Sequence, residues 1–219
     1  MQFRSICEKD YELLLASDRA VYPTDAPVTP AILDQWFQNN PEFGMVAEEG
    51  GQTRAMFIAI PLAKKAWEDL IAGRLEESDL DADTVFDNMR DSEVGIHIYH
   101  VEKYSDFSGS EPFYAAAFRQ LGKIVDSLKE QNPELEVAGV SALCVTAQGI
   151  GLFYNKLNFL ESDFINSEHI LSKNGQLEIF DTTSQQALTA KLSDGYAYIN
   201  RCKMLVAYPD GVSPVWTFL

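Results

Sequence analysis

The sequence predicts an α/β fold in which a mixed central sheet is flanked by helices. Three observations support this class. Short apolar runs alternate with amphipathic helical segments, glycine-containing turns join neighbouring runs, and one run, residues 137–145, is apolar enough to be buried on both faces. Strands that alternate with helices build a sheet covered by helices, and hairpins add antiparallel pairs to it.

Length and composition favour a single domain. The chain has 219 residues, 46% of them hydrophobic, which is ample for one core. Neither an internal repeat nor a low-complexity linker divides it, so we expect one domain, residues 1–219, with an acidic insertion near residues 64–93. No apolar run of about 18 residues indicates a membrane span, and Glu8, Lys9 and Asp10 interrupt any signal-peptide pattern. We therefore expect a cytoplasmic protein.

The chain is strongly acidic, with a formal net charge of −16. Such a field repels nucleic-acid phosphates and anionic lipids, so neither nucleic acid nor a membrane is an expected partner. It favours a cationic substrate or partner, and a contribution to solubility alone is the alternative explanation.

The three cysteines, Cys7, Cys144 and Cys202, are odd in number and far apart in the sequence. Cys7 and Cys144 lie in apolar runs, which predicts buried free thiols in a reducing compartment. Because neither the cysteines nor the histidines cluster, we expect no metal site.

The N-terminal part of the chain predicts a strand followed by two helices. Residues 2–6 form the strand, and the first helix begins near residues 9–10 and ends before Pro23. Thr29 and Pro30 then supply an N-cap and a first-turn proline for a helix over residues 31–38.

A hairpin comes next, formed by residues 44–48 and 54–61 around Gly50 and Gly51. Glycine readily adopts the positive φ that tight hairpin turns require. A helix over residues 64–74 follows the hairpin.

Residues 75–93 form a strongly acidic segment, with eight acidic side chains against a single basic one, Arg90. The segment lacks the glycine and the closing glutamate of a calcium-binding hand. We therefore interpret it as a solvated insertion between two strands.

The middle of the chain predicts a central strand and a long helix. Residues 94–101 are rich in β-branched and aromatic side chains. A polar turn over residues 103–111 leads into a helix over residues 113–131, which Asn132 and Pro133 end.

A buried strand and a short helix follow, and much of the functional argument depends on them. Residues 137–145 form the strand, and the helix opens at Thr146. Its apolar and aromatic side chains recur at helical spacing: Ile150, Phe153, Tyr154 and Leu157. Asn158 is placed to end it, because asparagine tolerates the left-handed conformation common at helix C-termini.

The C-terminal part of the chain has a weaker pattern. Residues 169–171 and 177–180 predict a second hairpin, residues 182–193 a helix, and residues 196–208 one final strand. The last five residues, 215–219, are apolar enough to dock either on the same chain or on another subunit.

Two segments of the chain resemble a known family. Residues 153–159, Phe-Tyr-Asn-Lys-Leu-Asn-Phe, resemble the L-Y-x-K-L-G-F segment of GCN5-related N-acetyltransferases, and residues 3–23 are similar to the family's first strand and helix. The predicted element order also matches. The resemblance implies an acyl-CoA N-acyltransferase-like fold whose sheet is partly splayed between strands 94–101 and 137–145. It further implies acetyl-CoA as co-substrate and a small-molecule or peptide primary amine as acceptor.

The resemblance also implies roles for individual residues. Tyr154 would be the acid that protonates the leaving thiolate, and the cofactor would bind at His100, Val101, Ser108, Gly109, Ser110 and Thr146. The pantetheine arm would follow the main chain near His100, and the pyrophosphate would lie on backbone N–H groups at the start of the long helix.

The phosphate-binding loop departs from the family pattern R/Q-x-x-G-x-G/A. Within residues 106–111 only Gly109 matches, and Asp106 and Glu111 place negative charge beside a diphosphate. This departure favours an alternative, a catalytically inactive binding or regulatory module of the same fold.

The general base is left open among three candidates, His97, His100 and Glu48, and a water relay. The spacing of three residues on an element of period two predicts that the two histidines point to opposite faces of their strand. A hydrogen-bonded structural role is the alternative for each histidine.

Overall fold

The structure is a computed structural model that describes residues 1–38, 40–104, 113–162 and 167–219. The α-helices in these ranges are α1 (Tyr11–Val21), α2 (Pro30–Phe37), α3 (Lys64–Ile71), α4 (Phe113–Gln131), α5 (Ala147–Ile150) and α6 (Gln185–Ser193). The strands are β1 (Gln2–Ser5), β2 (Gly44–Glu49), β3 (Gln52–Ala63), β4 (Glu93–Lys103), β5 (Glu136–Cys144), β6 (Leu160–Glu161), β7 (Glu168–Lys173), β8 (Gln176–Asp181), β9 (Ala197–Arg201) and β10 (Lys203–Ala207). None of the described helices is both long and apolar enough to cross a membrane.

Seven strands form the central sheet, in the order β1-β2-β3-β4-β5-β10-β6. Strands β4 and β5 pair in parallel, and the other neighbours in this sheet pair antiparallel. The long helix α4 supplies the crossover that a parallel pair needs. The predicted fold class, a mixed sheet flanked by helices, is confirmed.

Several local sequence signals are found in the structure at the elements that they predict. The Thr29 hydroxyl accepts a hydrogen bond from the Ile32 backbone N–H and caps α2. Gly50 and Gly51 have φ angles of 61° and 77° at the hairpin turn between β2 and β3. Asn158 has a φ of 54° and ends the helix that follows β5.

That helix differs from the prediction in its winding. After the single α-turn of α5, the residues Gly151–Lys156 form a π-helical segment. A π-helical segment widens the turn and changes the direction of its side chains, and such segments occur often at functional sites.

The acidic segment between β3 and β4 is less solvated than the sequence predicts. Leu80 is fully buried, and its carbonyl accepts a hydrogen bond of 2.8 Å from Trp36 Nε1 on α2. Val85 forms a β-bridge with Leu62 at the end of β3. Apolar residues spaced among the acids therefore attach this segment to the sheet.

Residues 196–208 do not form one strand, so that prediction is wrong. The polypeptide changes sheets at Cys202: β9 pairs with β7, whereas β10 pairs with β5. Strands β8, β7 and β9 form a separate three-stranded sheet, inserted in sequence between β6 and β10. The predicted hairpin of this sheet is confirmed as β7–β8, and Asn174 and Gly175 have positive φ at its turn.

The packing of the C-terminal segment decides between the two docking surfaces considered for it. The C-terminal segment docks on its own chain, since the Phe218 ring lies 5.7 Å from that of Phe118 on α4.

Cys144 and Cys202 are buried free thiols, but Cys7 is exposed, so its predicted burial is wrong. Cys7 comes just after the end of the edge strand β1, where no further strand covers it among the described residues.

Candidate functional site

The parallel strands β4 and β5 separate toward their C-terminal ends. Their pairing runs from Glu93 opposite Glu136 to Ile98 opposite Ala142. Beyond Ile98, β4 continues beside β3 as far as Lys103, while β5 continues beside β10. The sheet is therefore splayed where the family resemblance implies it.

A cavity of about 420 Å³ lies beside this gap. Its lining includes Tyr99 of β4, Leu143 of β5 and Met204 of β10, which border the gap. The remaining walls come from α1, the connection between α1 and α2, the segment that follows α3, and the second sheet. Its size is that of a small-molecule binding site.

The lining of this cavity is acidic. Five carboxylate side chains contribute to it: Asp18, Glu76, Glu77, Glu168 and Asp181. Arg19 is the one lysine or arginine among the lining residues that the structure describes. Burial and the charge of Glu77 together raise the pKa of the nearby Cys144 thiol to about 12. The cavity thus provides a negative, partly enclosed environment.

A buried chain of hydrogen bonds leads from the sheet to one of these carboxylates. Trp67 Nε1 donates to Ser141 Oγ over 2.9 Å, Ser141 Oγ lies 3.0 Å from His97 Nδ1, and His97 Nε2 lies 2.8 Å from Glu77 Oε1. An indole N–H is a donor only, so the serine accepts from it, and an ionised carboxylate is an acceptor only, so His97 Nε2 donates to Glu77. In a neutral His97 ring, Nδ1 then accepts the proton of the serine hydroxyl. The Nε2 proton of His97 then points to Glu77. This assignment satisfies every donor in the chain and holds the Glu77 carboxylate at the cavity wall.

His100 takes part in a second buried cluster. Its Nδ1 lies 3.0 Å from Asp18 Oδ1, and its Nε2 lies 3.1 Å from the Tyr104 hydroxyl and 3.3 Å from Glu102 Oε2. Burial disfavours the charged ring, but the hydrogen bonds with Asp18 and Glu102 outweigh it and raise the pKa of His100 to about 9. His100 is therefore protonated at neutral pH and has no lone pair with which to act as a base.

The two histidines do not point to opposite faces, which corrects the prediction from spacing. His97 contacts Glu77 and His100 contacts Asp18, and both carboxylates line the same cavity. The cause is a β-bulge: Ile58 pairs with His100 and Ala59 with Ile98, so Tyr99 is an extra residue in β4. One extra residue reverses the alternation of the strand beyond it.

The charge on His100 predicts a dependence of stability on pH. The folded-state pKa of about 9 exceeds the ordinary value of 6.5, so protonation stabilises the folded state fully below about pH 6.5. We expect the free energy of unfolding to fall by roughly 3 kcal/mol as the pH rises from about 6.5 through 9. Urea unfolding across this range measures the fall. His100→Gln should remove most of it, and equal slopes in the two proteins would contradict the proposed charge state.

Tyr154, the predicted acid, lies in the π-helical segment and is 46% exposed. Its ring lies 5.5 Å from the Nζ of Lys203, which is the register partner of Cys144 at the end of β5. Tyr154 is not among the described residues that line the cavity. The phenol therefore lies near the C-terminal end of β5.

The structure describes three of the six predicted cofactor residues. His100 is nearly buried and bonded as described above, and Val101 pairs with Phe57 in β3. The Thr146 hydroxyl accepts a hydrogen bond of 3.0 Å from the Gly149 N–H and caps α5. The three residues assigned to the pyrophosphate, Ser108, Gly109 and Ser110, lie outside the described residues.

Glu48, the third candidate base, lies away from the cavity. Its carboxylate accepts hydrogen bonds from Arg4 at 2.9 Å and from Lys9 at 3.2 Å. These hydrogen bonds lower the pKa of Glu48, which is therefore an ion-pair partner at the edge of the sheet.

Sequence reasoning missed the carboxylates that line the cavity. Glu77 was assigned to solvent with its acidic segment, and Glu168 and Asp181 lie in the part of the chain with the weakest pattern. Glu77 and its partner His97 are separated by 20 positions, and apart from the adjacent Glu76 the other lining acids come from other elements. No local spacing could have identified them.

Comparison of the sequence with protein-family models and with curated proteins found no match. Among solved structures, the fold is similar to that of Arabidopsis thaliana NAA60 in complex with acetyl-CoA, with a TM-score of 0.50 and 13% identity over 96% of this chain and 99% of that one. It is also similar to Chaetomium thermophilum Naa20 in complex with a bisubstrate analogue, with a TM-score of 0.50 and 10% identity over 95% of this chain and 86% of that one. At these identities the likeness establishes the fold alone.

Proposed function

The chain has the fold of the GCN5-related N-acetyltransferases, and from this premise we propose that it is an acyl-CoA-dependent N-acyltransferase. It transfers an acyl group, for which we propose acetyl, from coenzyme A to a primary amine. The observation that carries the proposal is the separation of β4 and β5 beyond Ile98, directly beside an acidic cavity. The A. thaliana NAA60 structure, whose fold is shared, contains acetyl-CoA, which supports this co-substrate.

In this proposal the cofactor and the acceptor approach the gap from two directions. The main chain of His100 and Val101 binds the pantetheine arm, residues 108–110 bind the pyrophosphate, and Thr146 borders the cofactor at the start of α5. The acceptor amine enters through the acidic cavity. The two reactants then meet where the strands separate.

The reaction requires one base and one acid. The neutral amine nitrogen attacks the thioester carbonyl carbon, a C–N bond forms, and the C–S bond breaks with its electron pair on sulfur. We assign the base to Glu77, because it lines the cavity and His97 holds it in position. Glu77 takes the proton that the amine loses, and Tyr154 donates a proton to the thiolate.

A binding or regulatory module without catalysis is the second candidate. The specific observation in its favour is the loop at residues 106–111, where Gly109 alone matches the phosphate-binding pattern. The negative charges of Asp106 and Glu111 oppose a diphosphate by Coulomb repulsion.

Thermal unfolding with acetyl-CoA tests the proposal. A ligand at about a hundred times its dissociation constant should stabilise the folded chain by roughly 2.7 kcal/mol. Chromatographic detection of free coenzyme A after addition of amines then tests turnover, and it avoids thiol reagents that react with the exposed Cys7. Stabilisation without release of coenzyme A for any amine would support the non-catalytic module. No stabilisation at millimolar acetyl-CoA would contradict the acyltransferase.

A further inference from the structure

The acidic residues of the cavity are distributed around its walls. Asp18 comes from α1, Glu76 and Glu77 from the segment after α3, and Glu168 and Asp181 from the second sheet. Apolar side chains also line the cavity, among them Leu15, Val21, Leu75, Leu143, Val145 and Met204. The cavity therefore combines negative charge with apolar surface.

Three of the hydroxyl groups that line the cavity donate to these carboxylates. The Tyr22 hydroxyl donates to Glu168 over 2.6 Å, and the Tyr99 hydroxyl donates to Asp18. Ser167 Oγ donates to Asp181. A ligand therefore meets an environment rich in acceptors.

An ammonium group suits such an environment, because it offers three donors, carries a positive charge and accepts no hydrogen bond. A peptide brings backbone carbonyls, and buried carbonyls that find no donor cost free energy. Methylene segments suit the apolar lining residues, and the aromatic residues Tyr22 and Tyr99, a residue type that attracts cations, also line the cavity.

We propose that the cavity binds a linear aliphatic di- or polyamine, which makes the acyl acceptor a small, flexible polycation. One amine reaches Glu77 at the gap and is acylated, while the other ammonium groups pair with carboxylates farther along the walls, Glu168 and Asp181 among them. The catalytic part of this inference rests on the proposed function, whereas the binding part does not.

Calorimetric titration of the full chain without acetyl-CoA tests the binding part. Spermidine carries three amines, and n-octylamine provides a chain of similar length with one. We expect spermidine to bind at least roughly tenfold more tightly than either n-octylamine or a tetrapeptide with a free N-terminus. The affinity for spermidine should fall as salt is added, because salt screens the ion pairs.

Charge-neutral variants test which residues are responsible. Glu168→Gln and Asp181→Asn keep an oxygen that accepts from Tyr22 and Ser167, so both variants should fold. Each should weaken spermidine binding by roughly tenfold and leave n-octylamine binding nearly unchanged. The matched control is Asp126→Asn, an exposed carboxylate on α4, which contributes no described residue to the lining.

Equal binding of spermidine and n-octylamine, tighter binding of the tetrapeptide, or unchanged affinity in both cavity variants would each overturn the inference. Acyl transfer to other amines without spermidine binding would overturn it and leave the proposed function intact. Spermidine binding without any response to acetyl-CoA would support the inference and overturn the proposed function instead.

Discussion

Replacement of Glu77 by glutamine should lower kcat by roughly 10²- to 10⁴-fold near pH 7, which is the range for the loss of a general base. The amide oxygen still accepts the hydrogen bond from His97 Nε2, so the folded structure is kept while the proton acceptor is lost. Steady-state kinetics across pH measure the effect.

Two variants serve as controls for this prediction. Glu76→Gln alters a neighbouring cavity carboxylate that has no histidine partner among its described contacts, so it should raise KM with little change in kcat. Tyr154→Phe should also lower kcat, since it removes the proton donor. Stabilisation by acetyl-CoA should persist in all three variants. A kcat for Glu77→Gln within a few-fold of the parent protein would exclude Glu77 as the base.

Replacement of Gly95 by alanine should destabilise the fold by about 3 kcal/mol, near the upper end of the range for overpacking. A Cβ at Gly95 would lie 2.0 Å from Cγ and 2.5 Å from Cβ of Trp67, atoms close to the α3 backbone that cannot turn aside. Trp67 lies against Gly139 of β5 as well as Gly95 of β4. The added methyl group could therefore be accommodated only if α3 moved away from the sheet. Urea unfolding measures the loss as a lower midpoint with an unchanged slope.

The matched control is Gly151→Ala. Gly151 has a helical φ of −60°, and a Cβ there meets no atom within 4 Å, so stability should be unchanged or slightly higher. A double-mutant cycle with Trp67→Leu should show that the cost of Gly95→Ala shrinks when the indole is removed. A cost for Gly95→Ala below about 0.5 kcal/mol would show that α3 does not pack closely on β4.

Much of the fold was predictable because its signals are local. The N-cap Thr29, the turn glycines Gly50 and Gly51, and the helix end at Asn158 each act through their own backbone or that of close neighbours. The buried stripe of α4 likewise depends on the helical spacing of apolar residues, which can be read within the sequence of that helix alone. Such features need no knowledge of distant contacts.

The errors occurred where pairing partners decide the outcome. The strand predicted over residues 196–208 has an adequate β-pattern throughout, but β7 and β5 pair with its two halves and divide it at Cys202. The bulge at Tyr99 exists because β4 and β3 pair on both sides of it, and it brings His100 to the cavity side. Neither event has a signal in the strand itself.

The sequence alone determined the class of fold, the order of its elements as far as the helix after β5, the negative charge of the chain and the location of Tyr154 on that helix. Tertiary structure decided which acids surround one cavity and that His97 lies within hydrogen-bond distance of Glu77. The physical reason is range. Caps, turns and periodic apolar faces depend on neighbours in sequence, whereas a cavity and its electric field are sums over groups brought together by folding.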